Sequence, residues 1–161
     1  MAKNWKIRTD LSIEVCGHTL FRIECTQDFK EIKAGTLGGF IEKEENLDGD
    51  AWVSDDARVY GNARVYGNAR VYGNARVYGD KITNKYDICY VSNRYYNITI
   101  TPLHIKIGCQ YHAQEAWWNF TDEQIKKMDG DDAMNFWKIW KEPLKQICDA
   151  MKKEKGEKDV K

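Results

Sequence analysis

From residue 57 to residue 79 the chain reads ARVYGN three times and then ARVYG. Apolar Val59, Val65, Val71 and Val77 therefore recur every six positions, each with an alanine two residues earlier at Ala57, Ala63, Ala69 and Ala75. A helix of 3.6 residues per turn would scatter such positions around its circumference, whereas residues two apart in a strand share one face. The period predicts short strands with Ala and Val inward and Arg and Tyr outward, each followed by a Gly-Asn corner that accepts positive φ. The same frame extends upstream through Ala51-x-Val53, Leu47 and Gly39-x-Ile41, so about seven hexads run from residue 39 to residue 80.

This pattern resembles the hexapeptide repeats of left-handed parallel β-helices, in which three hexads form one triangular coil. The resemblance implies a mainly β fold with an α cap: a short left-handed parallel β-helix, or triangular prism, flanked by irregular strands and a C-terminal helical segment. Arg58 is then expected below Arg76 and Tyr60 below Tyr78. Seven hexads give little more than two coils, so both open ends need covering. The expected organisation is an N-terminal strand-rich cap over 1–38, the β-helix over 39–83, and a C-terminal β/α cap over 84–161.

The flanks carry weaker signals. Residues 20–25 and 29–35 suit irregular first strands of the same stack, and two β-rich runs, 88–91 and 97–107, are broken at Pro102. Thr121 and Gln124 form a capping box that opens a helix stopping at Gly130. Phe136, Trp140, Leu144, Ile147, Cys148 and Met151 then recur at spacings of three and four, an amphipathic stripe that Pro143 should kink or divide. The charged tail from Lys152 to Lys161 is expected to fray.

Composition narrows the function. The 161 residues hold 25 basic and 25 acidic side chains, which excludes a histone-like or cationic role, and 42% apolar residues exclude a disordered chain. No apolar run has the ~18 residues of a membrane span, so a cytoplasmic location is expected. The five scattered cysteines read as free thiols, and the sequons at Asn97 and Asn119 as chance matches. The order LGGFIE at 37–42, ENL at 45–47, the hexads, and a block of IGC, His and Trp at 107–118 is similar to small phage and prophage proteins. That resemblance implies a viral or prophage setting, with host cytoplasm as the compartment, rather than an activity, and no catalytic residue carries over from it.

Hexapeptide-repeat proteins include coenzyme A-dependent acyltransferases with a histidine base. No histidine lies between His18 and His104, so the repeats supply no base, and His104 or His112 would have to reach in from the cap. Cys109-x-x-His112, with Cys89 and His104, supplies only one closely spaced ligand pair for zinc, and the same pair as nucleophile and base is no stronger. The expectation is no catalytic residue, no metal and no cofactor.

The outward ladders are more informative: Arg58, Arg64, Arg70 and Arg76 alternate with Tyr60, Tyr66, Tyr72 and Tyr78, pairing guanidinium donors with aromatic platforms suited to phosphates and stacked bases. Residues 57–79 carry four cations and no acid, while 42–56 carry seven acids against Lys43. The bland alternative is that Arg and Tyr merely cover exposed β surface. Coiling also spreads the arginines around the prism, and a trimer seam would gather them again. Trp117, Trp118, Trp137 and Trp140 read chiefly as the core of the helical cap.

The favoured reading is a non-enzymatic, oligomeric binding protein of phage type, a bacterial-defence antagonist. It sequesters an anionic nucleotide, with Arg64, Tyr66, Arg70 and Tyr72 as first contacts, or it occludes a defence protein through Trp118, Asp48, Asp50, Asp55 and Asp56. The acyltransferase and a purely structural assembly protein are the alternatives.

Overall fold

The computed structural model describes residues 3–159. The chain is mainly β with a long C-terminal helix. Strands β1 (Trp5–Val15) and β2 (His18–Cys25) form an antiparallel hairpin, and β2 pairs antiparallel with β3 (Leu37–Ile41). The hexads then give two-residue strands β4 (Trp52–Val53), β5 (Arg58–Val59), β6 (Arg64–Val65), β7 (Arg70–Val71), β8 (Arg76–Val77) and β9 (Lys81–Ile82).

These short strands pair in parallel with strands three hexads away. Phe40 is opposite Arg58 and Arg58 opposite Arg76; Trp52 is opposite Arg70; Leu47 bridges to Val65. Each step is eighteen residues, so the chain returns over itself once per three hexads. The last step, Arg64 to Lys81, is seventeen. Val53, Val59, Val65, Val71 and Val77 are buried with Ala51, Ala57, Ala63, Ala69 and Ala75, forming one core with Leu47, Ile41 and Ile82. The corner glycines Gly49, Gly61, Gly67 and Gly73 share φ values between 63° and 67°, the left-handed turn expected of them. Buried Asn46 locks the lowest corner: its side-chain amide donates to the carbonyls of Gly61 and Ala63, at 3.3 and 2.8 Å, and its oxygen accepts from Lys43 N at 2.9 Å.

Three expectations are corrected. The N-terminal strands are not early members of the parallel stack: β1 and β2 run antiparallel, making the five-stranded sheet β1-β2-β3-β5-β8 mixed and covering the lower edge at β3. Strand β1 alternates too weakly to announce itself, because only Trp5 and Val15 along it are buried. Second, the terminal helix runs on to Asp159, and residues 160–161 lie outside the described part. Its anchor is an ion pair between Lys155 Nζ and the fully buried Asp87 at 2.7 Å. Third, the helix is not divided at Pro143, which lies inside it; its break falls at Asp129 and Gly130, where the first helix was expected to stop.

Strands β10 (Cys89–Val91), β11 (Ile98–Ile100), β12 (His104–Ile107) and β13 (Gln110–Ala113) form a separate antiparallel sheet, followed by α1 (Gln114–Asn119) and α2 (Asp122–Asp159). The Thr121–Gln124 capping box opens α2, with reciprocal bonds of 2.9 and 3.3 Å. Alternation divides this sheet. Ile98, Ile100, Ile105 and Ile107 pack with Trp117, Phe136, Trp137 and Leu144 in a second core. The intervening polar residues face the winding: Thr99 Oγ1 accepts from Arg76 N at 3.0 Å, and buried Asp80 accepts from Leu103 N, His104 Nδ1 and Tyr111 Oη at 3.2, 2.8 and 3.2 Å. No helix of the described residues is long and apolar enough to cross a membrane.

Candidate ligand-binding site

The winding sorts the four arginines onto three sides. Arg64 is exposed and lies opposite Lys81. Arg70 lies opposite Trp52 and is ion-paired with Glu31 at 2.8 Å. Only Arg58 and Arg76 share a side, stacked in register. Burial, and then repulsion from Arg76, lowers the Arg58 guanidinium from its ordinary value. Neither side chain has a hydrogen bond or ion pair among the described residues, so both charges remain available.

The tyrosines divide similarly. Tyr66, Tyr72 and Tyr78 are 38–44% exposed, whereas Tyr60 is buried, which corrects its expected outward position. Tyr60 lies against Tyr78 at 5.1 Å and His18 at 5.4 Å, because the N-terminal hairpin folds over this corner. His18 Nδ1 is held by Glu42 at 2.7 Å. Tyr72 meets Tyr90 edge-on at 6.5 Å. Arg64 with Tyr66 and Arg70 with Tyr72 thus sit at different sides, and no single surface collects all four.

Where the last hexad meets the antiparallel sheet lies a polar cavity of about 260 Å³. Asn74 and Arg76 come from the winding, Asn97 and Thr99 from β11 and its approach, and Lys106 from β12, with Tyr95 and Tyr96 at the side. The register explains the convergence. Thr99 is opposite Lys106 in the β11–β12 pair, and Thr99 binds the backbone of Arg76, so two cations meet at one place. No acidic side chain among the described residues lines the cavity. Among the described residues Lys106 Nζ donates only to the carbonyl of Gly108, at 2.9 Å, and burial together with Arg76 lowers its ammonium from the usual value. An anion seated here would relieve both the mutual repulsion and the poor solvation.

Sequence reasoning named Arg76 and missed Lys106, Thr99, Asn97, Tyr95 and Tyr96. The alternation Ile98-Thr99-Ile100 and Ile105-Lys106-Ile107 carried the signal that Thr99 and Lys106 share a face, but not which element that face meets.

The remaining candidates are placed as follows. Trp118 is half-buried and stacked on Trp137 at 6.1 Å, while Trp117 is buried and donates to Ile105 O at 2.8 Å. Asp48 and Asp55 accept from the corner amides of Gly49 and Gly73, at 2.8 and 2.9 Å. Asp56 pairs with Arg22 at 2.8 Å, and the carbonyl of exposed Asp50 accepts from Lys30 at 3.2 Å. His104, stacked on Tyr111 at 4.6 Å, is bound at Nδ1 by Asp80; His112 lies between Trp117 and Phe120, its imidazolium disfavoured by burial. Cys109 is exposed and Cys89 half-buried, and the described residues contain no group of three or more His, Cys, Asp or Glu arranged to hold a metal.

A recurring unit of short parallel strands, with small and branched apolar residues inside, is the build of a solenoid repeat. Residues 51–67, 57–70, 63–79 and 69–82 match the YdcK Beta solenoid repeat. The chain is thus a mainly β protein whose central segment is similar to β-solenoid repeats. No curated protein matches it.

Proposed function

We propose that this is a binding protein built on a short left-handed parallel β-helix, and that it sequesters a small anionic ligand at the cavity between the last hexad and the C-terminal sheet. The observation that carries the reading is the meeting of Arg76 and Lys106 over a cavity without an acidic side chain among the described residues, with Arg58, unpaired among those residues, stacked beside Arg76. Asparagine side chains and the Thr99 region add neutral polar partners, and exposed Tyr95 adds an aromatic surface. Such a set suits phosphate or carboxylate oxygens. The arrangement of motifs along the chain supports a phage setting, in which holding an anionic nucleotide signal would blunt a bacterial defence. The site draws all its residues from one chain, so it does not depend on a trimer seam; self-association through the exposed tyrosine corners is a separate part of the proposal.

Calorimetry with inorganic phosphate, linear and cyclic dinucleotides and acetyl-coenzyme A tests the reading. Binding that weakens at least about ten-fold in Arg76→Ala and in Lys106→Ala is expected, the loss of one charge-assisted contact each. No binding of any anion, or binding indifferent to both substitutions, would remove it. Turnover of acetyl-coenzyme A that depends on His104 or His112 would replace it with the acyltransferase. Light scattering gives the oligomeric state.

A further inference from the structure

Beside the polar cavity lies a second, apolar one of about 180 Å³ between the antiparallel sheet and α2. Its walls include Ile107, Trp117, Ile125, Phe136 and Trp137, with Gln110 and Asp129 as polar points. Tyr96 and Cys109 line both cavities, so the two adjoin across these side chains. The Tyr96 ring meets the edge of Phe136 at 5.0 Å, and its hydroxyl donates to Asp129 at 2.7 Å, at the point where α2 breaks. Burial and then this carboxylate push the Tyr96 hydroxyl up to about 12, so it remains a donor at neutral pH.

Neither cavity alone matches the roughly 300 Å³ at which pockets for organic ligands begin, but the two in tandem exceed it. An apolar cavity of about 150 Å³ is enough to hold one six-membered ring. We infer that the two cavities form one bipartite site for an aromatic phosphate of nucleotide type: the phosphate between Arg76 and Lys106, and a flat heterocycle in the tryptophan-lined chamber beyond Tyr96. Aromatic walls favour a planar ring through offset and edge contacts. Gln110 and Asp129 offer hydrogen-bond partners to a ring carrying N–H groups, and Asp129 disfavours placing the phosphate itself in that chamber. The charge on one side and the apolar lining on the other thus fix the orientation of the ligand. This inference rests on the anion-binding reading above and specifies its ligand class.

The test compares inorganic phosphate with phenyl phosphate by calorimetry, and follows fluorescence of the whole protein, in which Trp117 and Trp137 report on the chamber. Phenyl phosphate is expected to bind at least about ten-fold more tightly than inorganic phosphate and to change the tryptophan emission, because only it buries a ring. Ala133→Leu, which narrows the chamber, should abolish that advantage while leaving inorganic phosphate bound, with circular dichroism confirming the fold. Arg76→Ala should weaken both ligands. Equal affinity of wild-type protein for the two phosphates, without any emission change, would overturn the bipartite site and leave the anion-binding reading standing. That comparison needs no variant. Failure of both ligands to bind wild-type protein would overturn the two together, and an advantage that survives in folded Ala133→Leu would overturn the role of the chamber.

Discussion

Gly49 and Gly67 occupy equivalent corners on successive returns of the chain, with φ values of 63° and 67°, and an alanine at either should separate two costs that usually come together. Left-handed backbone at a residue bearing Cβ costs roughly 1–2 kcal/mol, and both variants share that cost. Space differs. A Cβ at Gly49 would lie 3.4 Å from the carbonyl oxygen of Gly67, an ordinary contact, whereas one at Gly67 would lie 2.5 Å from the carbonyl oxygen of Thr83. That oxygen has little room to retreat, because Thr83 is tied through its N–H and hydroxyl to Asp87 at 2.8 and 2.7 Å. Overpacking of this kind adds about 1–3 kcal/mol. Gly49→Ala should therefore lose about 1–2 kcal/mol and Gly67→Ala about 2–5 kcal/mol. For a chain of this length each kcal/mol lowers the melting temperature by about 2–4 °C, so calorimetric melts or urea titrations resolve the difference. Equal losses for the two variants would refute the argument that corners on successive returns press on one another along the stack.

Lys155→Ala strips the partner from fully buried Asp87, with an expected loss of about 1–3 kcal/mol, reduced from a fully buried pair because Lys155 is 40% exposed; urea unfolding reads it. Burial would raise the Asp87 carboxyl, but the bonds from Lys155 and Thr83 outweigh it and hold it below the usual range. Its contribution is therefore present above the unfolded value near ~3.9 and is lost as pH falls through the lower folded value; melts from pH 6 downward should fall less steeply in Asp87→Asn. Asn46→Ala, which strands two carbonyls and an N–H in the lowest corner, should lose about 1–3 kcal/mol in the same unfolding assay. Asp80→Ala deprives Leu103 N–H, His104 and Tyr111 of their shared acceptor, and hydrogen exchange should quicken first at the β11–β12 turn.

Much of the fold could be read from the hexads because they impose one local rule many times. Val59 and Val77 must face inward for the same reason, and the eighteen-residue partnership of Arg58 with Arg76 follows from three hexads per return. The N-terminal hairpin was less legible: along β1 only Trp5 and Val15 are buried, so its own alternation gives little strand signal. Tyr60 shows the limit. Its hexad is identical to that of Tyr66, yet His18 and the hairpin cover only the former. The candidate site was half legible, since Arg76 stands in the repeat while Lys106 reaches it through a sheet whose docking depends on Thr99 and Asp80, single residues without a pattern.

The polar cavity takes only Asn74 and Arg76 of its described lining from the winding, so hexads gained beneath it would leave that lining unchanged. The alignment of the two ends has no such freedom. Tyr78 touches His18 of the hairpin and Tyr111 of the C-terminal sheet, so gain or loss of one hexad would turn that sheet a third of a circuit away from the hairpin and break the shared contact, whereas a slip of eighteen residues would restore the alignment. Length variants of this protein should accordingly come in whole circuits.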